Sequence, residues 1–253
     1  MWDWFMQLLF EILKGIQQFV GDWGLAIIVL TLIIRIILTP LTLKSTKSSA
    51  QMQVLQPKLK EIQDRYADDP QAQAEAMRKF YAEHKFNPLG GCLPVLLQMP
   101  IFIALFTVLK DYLPKEAHFY GILDSLSQSV QGAIGSLGIG GAWVFILLDV
   151  LFALLTLIPM ILNSKNTTPE QEKQMKIMGL VMTVMMFYFG WGVPVGVLLY
   201  YDTSALWGVI QQVFITQKVM DQYKAKEEER MKNAPIEVNV VRREHAPRPR
   251  KKK

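Results

Sequence analysis

The chain runs to 253 residues, of which 51% are apolar, and its 27 Lys and Arg against 22 Asp and Glu give a net charge of +5. Positive mean hydropathy over that length argues for the membrane class and against a soluble globular or disordered protein. A single cysteine, Cys92, excludes a disulfide framework within one chain.

Residues 1–22 read as an amphipathic helix. Asp3, Gln7, Glu11, Lys14 and Gln18 recur at steps of four and three and form one polar stripe. Trp2, Phe5, Leu8, Leu9, Ile12, Leu13, Ile16 and Phe19 fill the other face. Such a helix lies along the outer interface with its tryptophans at headgroup depth. The next stretch, Gly24 to Leu43, is long enough to cross a bilayer and carries one charge near its middle, Arg35. An arginine there costs about 2.5–3.5 kcal/mol on insertion scales and usually faces a bundle interior or a water-filled cavity. Snorkelling to an interface is the competing reading. Apolar helix on both sides of Arg35 makes it a strain.

Residues 44–86 read as a polar helical hairpin in the cytoplasm. Met52, Leu55, Leu59, Ile62 and Tyr66 keep helical spacing in the first arm, and Ala67-Asp68-Asp69-Pro70 supplies the turn. Pro57 is expected to kink this arm or to open a new helix. One thin apolar stripe per arm predicts a mobile hairpin.

Four further stretches can span, at roughly 91–110, 142–162, 175–191 and 195–216. Gly192-Val193-Pro194 separates the last two as a tight turn. The glycine-containing outer loop 111–141 reads as a flexible approach to the third span. Residues 219–253 read as a basic, largely disordered cytoplasmic tail. Such a tail attracts a polyanion, either ribosomal RNA or the anionic inner leaflet, or merely fixes topology and solubility. Leu89-Gly90-Gly91-Cys92 looks like a lipoprotein cleavage box, but no basic region and apolar run precede it as a leader would require.

Direction follows from the basic residues counted loop by loop. Residues 44–90 hold eight, 163–176 three, and the tail from Lys218 onward twelve. On the other side, residues 1–23 hold only Lys14, and the 111–141 loop holds only Lys115. The expected fold class is therefore an all-α integral membrane protein with five transmembrane helices, N-terminus outside and C-terminus inside. Its domains are the outer amphipathic helix 1–22, a core 23–218 that includes the hairpin 44–86, and the tail 219–253.

Polar residues at depth are the functional candidates. Thr31, Arg35 and Thr39 sit at i, i+4 and i+8, on one stripe of the first span. The second span carries Gln98 and the third Asp149, while the last carries Tyr200, Tyr201, Asp202, Thr203, Ser204, Gln211 and Gln212. At about 1.5 Å per residue, Arg35 and Asp149 differ in depth by roughly 6 Å, a gap that a long arginine spans. Asp202, in the outer third of its span, reads as an interfacial carboxylate. Two membrane aspartates raise an aspartyl protease reading. Tyr201-Asp202 resembles half of that signature, but no glycine precedes Asp149 in the other half. His84, His118 and His245 all lie outside the spans, so no serine–histidine or zinc constellation exists in the membrane. The chain is expected not to be an enzyme and to need no cofactor or metal. A transporter is the better rival, although no internal repeat or paired broken helices support it.

Three motifs in order then resemble the YidC family of membrane-protein insertases. The first is Arg35-Ile36-Ile37-Leu38-Thr39-Pro40-Leu41 with Lys44 and Met52-Gln53-Val54-Leu55-Gln56-Pro57. The second is Asn87-Pro88-Leu89-Gly90-Gly91-Cys92-Leu93-Pro94 with Gln98 and Pro100, and the third is Pro194, Gly196, Leu199-Tyr200 and Gln211-Gln212. The match runs from about residue 22 to 218. Tyr201 stands where the family is expected to carry tryptophan, and Ala205 where asparagine is common. Neither the lipoprotein signal of many Gram-positive members nor the large periplasmic domain of Gram-negative ones is seen, so the resemblance is to a compact five-span bacterial type in the cell (plasma) membrane.

The resemblance implies a hydrophilic groove, open to the cytoplasm and the lipid, with Arg35 inside. Thr31, Thr39, Gln98, Asp149, Tyr201, Ser204 and Gln211 would be the remaining groove residues. A client's polar or acidic tail would enter the groove while its apolar segment slid into lipid, with no need for ATP. The partners implied are nascent membrane proteins and membrane lipids. The ribosome, through the basic tail, and the Sec translocon are further candidates.

Overall fold

The computed structural model describes residues 2–84, 93–164 and 169–233, which are predominantly helical, with no extended strand among them. The Asn87 to Cys92 motif, Lys85, Lys165 and the tail from residue 234 lie outside the described residues.

Helix α1 (Trp2–Val20) packs against α2 (Trp23–Arg65). The five residues of the expected polar stripe are all exposed. The apolar face divides: Met6, Leu9 and Leu13 enter the core, whereas Leu8, Ile12 and Phe19 stay on the outside. Gly21 takes a left-handed conformation, φ +78°, in the turn between the two helices. Asp22 then caps α2, its carboxylate accepting the Leu25 N–H at 2.8 Å.

Helix α2 is one unbroken element of 43 residues with Pro40 and Pro57 inside it. Of the two outcomes expected at Pro57, a kink or a new helix, no new helix opens. A proline removes one intrahelical bond and crowds the preceding turn, at a cost of about 3 kcal/mol. On either side of it, Leu55 and Leu59 are buried against Phe80 of α3 (Pro70–Glu83), and that packing offsets part of the cost. Asp69 starts α3 as its cap, accepting the N–H groups of Gln71 and Ala72 at 3.0 Å.

Helix α4 (Leu93–Thr107) closes in a π-helical turn, Val108–Tyr112. The segment beyond it, the expected outer loop and hence named the outer segment, carries buried residues and a helix. Leu113, Ala117, Leu123 and Leu126 are buried in the main core, and α5 (Val130–Gly141) occupies the glycine-rich part. Two helices hang from this segment by their first amides. The Tyr120 N–H donates to the Asp22 carboxylate at 2.9 Å, and the Gly24 N–H to the His118 carbonyl at 3.3 Å. At the start of α8 (Val195–Gln211), the Val195 and Gly196 N–H groups donate to the carbonyls of Gln128 and Leu126, each at 2.9 Å. The Gly24, Val195 and Gly196 amides are ones that a helix cannot satisfy itself. Both α2 and α8 therefore begin at the outer segment and run away from it.

Helices α6 (Trp143–Ser164) and α7 (Pro169–Gly190) pack along each other, and α6 also packs on α8. Residues 191–194 make the turn expected at Gly192-Val193-Pro194. A second π-helical turn, Gln212–Thr216, carries α8 into α9 (Gln217–Asn233), which lies against α2 with Lys47 Nζ 5.4 Å from the centre of the Tyr223 ring. The first part of the expected tail is thus helical. Two of the described helices, Trp23–Arg65 and Trp143–Leu162, are long and apolar enough by themselves to cross a membrane.

Candidate functional site

The polar stripe that begins with Thr31, Arg35 and Thr39 does not stop at Pro40. Thr42, Thr46, Ser49 and Gln53 continue it at steps of three and four along α2. In a helix such threonines are quieted by their own backbone. Thr31 donates to the Ile27 carbonyl, Thr39 to Arg35, Thr42 to Leu38 and Thr46 to Thr42, at 2.6 to 3.0 Å. The hydroxyl oxygens keep spare lone pairs and give the stripe a polar surface at no cost in unpaired donors.

Where α2 faces the end of α8 and the start of α9, this stripe walls a cavity of about 390 Å³. Arg35, Thr42, Ser45, Thr46, Ser49 and Gln53 come from α2, and Gly208, Gln211, Gln212, Thr216 and Met220 from the opposite wall. Arg35 is the only charged residue in that lining. The cavity lies toward the ends of α2 and α8 that are remote from the outer segment. On the other side of Arg35, Ile27, Leu30, Thr31, Leu105, Leu109 and Tyr200 close up and leave no room for a water molecule. The result is a polar recess, blind toward the outer segment, with a cation at its inner end.

The guanidinium is held by a neutral group. Arg35 Nε donates to Ser204 Oγ at 2.8 Å, and Nη2 donates to the same oxygen. Ser204 is buried on α8. No carboxylate pairs with Arg35 among the described residues, so its charge is uncompensated.

The other expected site residues separate into groups. Gln211 lines the cavity, and its side-chain oxygen accepts the Trp207 indole N–H at 3.2 Å. Its Nε2 and the Oε1 of Gln53 are buried without partners. Gln98 lies one layer behind, donating to the Tyr200 hydroxyl at 2.8 Å. Thr31 sits in the closed part, and Thr39 holds the Arg35 carbonyl. Tyr201 contacts α6, its hydroxyl 3.3 Å from that of Thr156 and its ring edge-on to Phe152.

Asp149 does not join Arg35. It is fully buried under Gly190 of α7, with both carboxylate oxygens lacking a hydrogen-bond partner, and it interacts electrostatically with Asp202 instead. Asp202 is buried too, with both oxygens unpaired. That burial is at odds with the reading of Asp202 as an interfacial carboxylate facing water. Residue counting along two helices gives depth but not azimuth, so it does not say which residues face each other.

Sequence reasoning named Gln212 but missed Thr42, Ser45, Thr46, Ser49, Gln53, Thr216 and Met220 as lining residues. The signal on α2 was the uninterrupted spacing through Gln53. The opposite wall carried no such signal, because the π-helical turn Gln212–Thr216 shifts the residues beyond it out of the α-helical register.

Comparison with known proteins agrees with this architecture. Residues 15–223 match the family model described as 60Kd inner membrane protein. The membrane protein insertase YidC of Neisseria meningitidis serogroup B is 38% identical over 220 residues, covering 87% of this chain and 37% of that one. The YidC of Actinobacillus succinogenes is 41% identical over 216 residues, covering 85% of this chain and 37% of that one. A crystal structure of an active YidC insertase with its first transmembrane domain resolved superposes with a TM-score of 0.60 at 29% identity, covering 84% of this chain and 46% of its own. The chain thus spans little more than a third of the curated relatives it matches. A family model matched over most of the chain, relatives at this identity and a shared helical architecture place the chain in the YidC family, described as 60Kd inner membrane protein.

Proposed function

We propose that this chain is a membrane-protein insertase, not an enzyme, that works through the recess at Arg35. The carrying observation is one uncompensated cation in a neutral hydroxyl- and amide-lined cavity between α2 and α8–α9. A short polar or acidic tail of a nascent protein enters from the cytoplasm, and its carboxylates are attracted by the guanidinium. The apolar segment that follows passes laterally into lipid along the outside of the bundle, and burial of about twenty apolar residues supplies the driving force.

The proposed setting is the bacterial cell membrane, crossed five times by 24–43, 91–110, 142–162, 175–191 and 195–216, with the N-terminus outside and the C-terminus inside. The distribution of basic residues supports that direction. Exposed Ile177, Leu180, Val181, Val184 and Phe189 on α7 suit contact with lipid rather than water. Helix α1 forms the outer interfacial element 1–22, the core runs over 23–218, and 219–253 is the basic tail. The hairpin 44–86 receives clients.

The test is insertion of a short acidic single-spanning protein into proteoliposomes that contain only this chain, scored by protease protection. Wild type should insert it, Arg35→Ala should lose most of that activity, and Arg35→Lys should retain more than Arg35→Ala, because charge survives while the planar fork is lost. Equal insertion by wild type and Arg35→Ala would discard the charge mechanism. No insertion above empty liposomes would count against an autonomous insertase and favour a transporter or a required partner such as the Sec translocon. Ribosome binding by the tail rests on its clustered basic residues. Deleting 242–253 should weaken co-sedimentation with ribosomes, and binding indifferent to both that deletion and added salt would refute it.

A further inference from the structure

An arginine offers two bidentate edges, one along Nε and a terminal nitrogen and one across both terminal nitrogens. In Arg35 the first edge is taken. Nε and Nη2 both donate to the single oxygen of Ser204. Among the described residues no further side chain is hydrogen bonded to the end-on edge, and Arg35 lines the cavity.

Ser204 is itself braced. Tyr200 stands one turn earlier on the same face of α8, at i to Ser204's i+4, and both side chains are buried, so its hydroxyl lies beside that of Ser204. Gln98 of α4 donates to that same Tyr200 hydroxyl at 2.8 Å. Tyr200 is buried in the core, and Phe102 of α4 packs beside its ring at 6.4 Å between centroids. A file of polar side chains therefore runs Gln98–Tyr200–Ser204–Arg35 through α4, α8 and α2. Every link before Arg35 is neutral. A carboxylate in the place of Ser204 would hold the guanidinium as firmly, but would also cancel the charge that the recess presents.

We propose that Tyr200, backed by Gln98, is a positioning residue that fixes Arg35 with its end-on fork turned to the cavity, so that the recess selects a carboxylate by bidentate geometry as well as by charge. The ligand class is the carboxylate of an aspartate, a glutamate or a chain terminus on the entering tail. This inference rests on the insertase reading above. Neither the apolar environment of Tyr200 nor its packing needs a hydroxyl. Its oxygen is the bridge between α4 and the residue that holds Arg35.

The experiment compares an acidic-tailed client with the same client carrying a neutral tail, in proteoliposomes of the full chain. Tyr200→Phe keeps ring and volume and removes only the bridging oxygen. It should lower the ratio of acidic-tailed to neutral-tailed insertion by about fivefold, the scale of one hydrogen bond to a charged group's support. The ratio should fall no further when Tyr200→Phe is added to Arg35→Ala, because the relay then has nothing to position. Gln98→Leu should lower the ratio in the same direction and by less. An unchanged ratio in Tyr200→Phe, with Arg35→Ala still impaired, overturns the positioning role alone. So does a further fall of the ratio in the double variant, since Tyr200 would then act independently of Arg35. An unchanged ratio in Arg35→Ala overturns the charge mechanism and this inference with it.

Discussion

Asp149 lies directly beneath Gly190, where α6 and α7 approach so closely that a Cβ at position 190 would fall on the carboxylate and 3.2 Å from the Phe152 ring. The contact joins two expected spans at a point where one carries an acid and the other has no side chain.

The first prediction concerns this contact. Gly190→Ala should destabilise the protein by about 1–3 kcal/mol, the usual range for overpacking, read as a lower thermal unfolding midpoint in detergent. Adding Asp149→Ala should recover part of that loss, because the small side chain vacates the space. Strict additivity of the two losses would show that Asp149 is not what crowds position 190.

A second prediction concerns the outer segment. One carboxylate, that of Asp22, receives both the Leu25 N–H at the start of α2 and the Tyr120 N–H at 2.9 Å. Asp22→Ala should cost about 1–2 kcal/mol, as loss of a helix cap does. Amide exchange should accelerate at Leu25 and at Tyr120 together. Acceleration confined to Leu25 would mean that other contacts, such as the Gly24 N–H to the His118 carbonyl, suffice to hold the segment.

A third prediction concerns the hairpin. Its core among the described residues is Leu55, Leu59 and Phe80, with Ile62, Met77 and Tyr81 against it. So few buried contacts predict local opening well before global unfolding. Amides across 50–83 should exchange faster than those of 26–38 on the same helix. Leu55→Ala should widen the difference, removing about 2–5 kcal/mol of burial from a cluster this small. Uniformly slow exchange over both parts of α2 would contradict this.

Much of the architecture was legible along the chain because it depends on local spacing and on charge. The polar stripe of α1 is exposed at all five expected positions. The Asp68-Asp69-Pro70 and Gly192-Val193-Pro194 signals fall where helices end and begin. Both follow from short-range backbone chemistry, which needs no knowledge of neighbours. Pro57 went the other way. Its local rule allows a kink or a new helix, and with Leu55 and Leu59 buried against Phe80 no new helix opens.

The site divides along the same line. Sequence by itself determined that a cation and a file of hydroxyls share one face of a long apolar helix, since a helix repeats every 3.6 residues wherever it stands. Which residues meet that face was settled only in three dimensions. Arg35 found Ser204, 169 positions away, and Asp149 found Gly190 and Asp202. Depth is a sum of rises along a helix and can be counted. The rotation of one helix against another is set by how their side chains interlock across the whole bundle, and no single segment carries it.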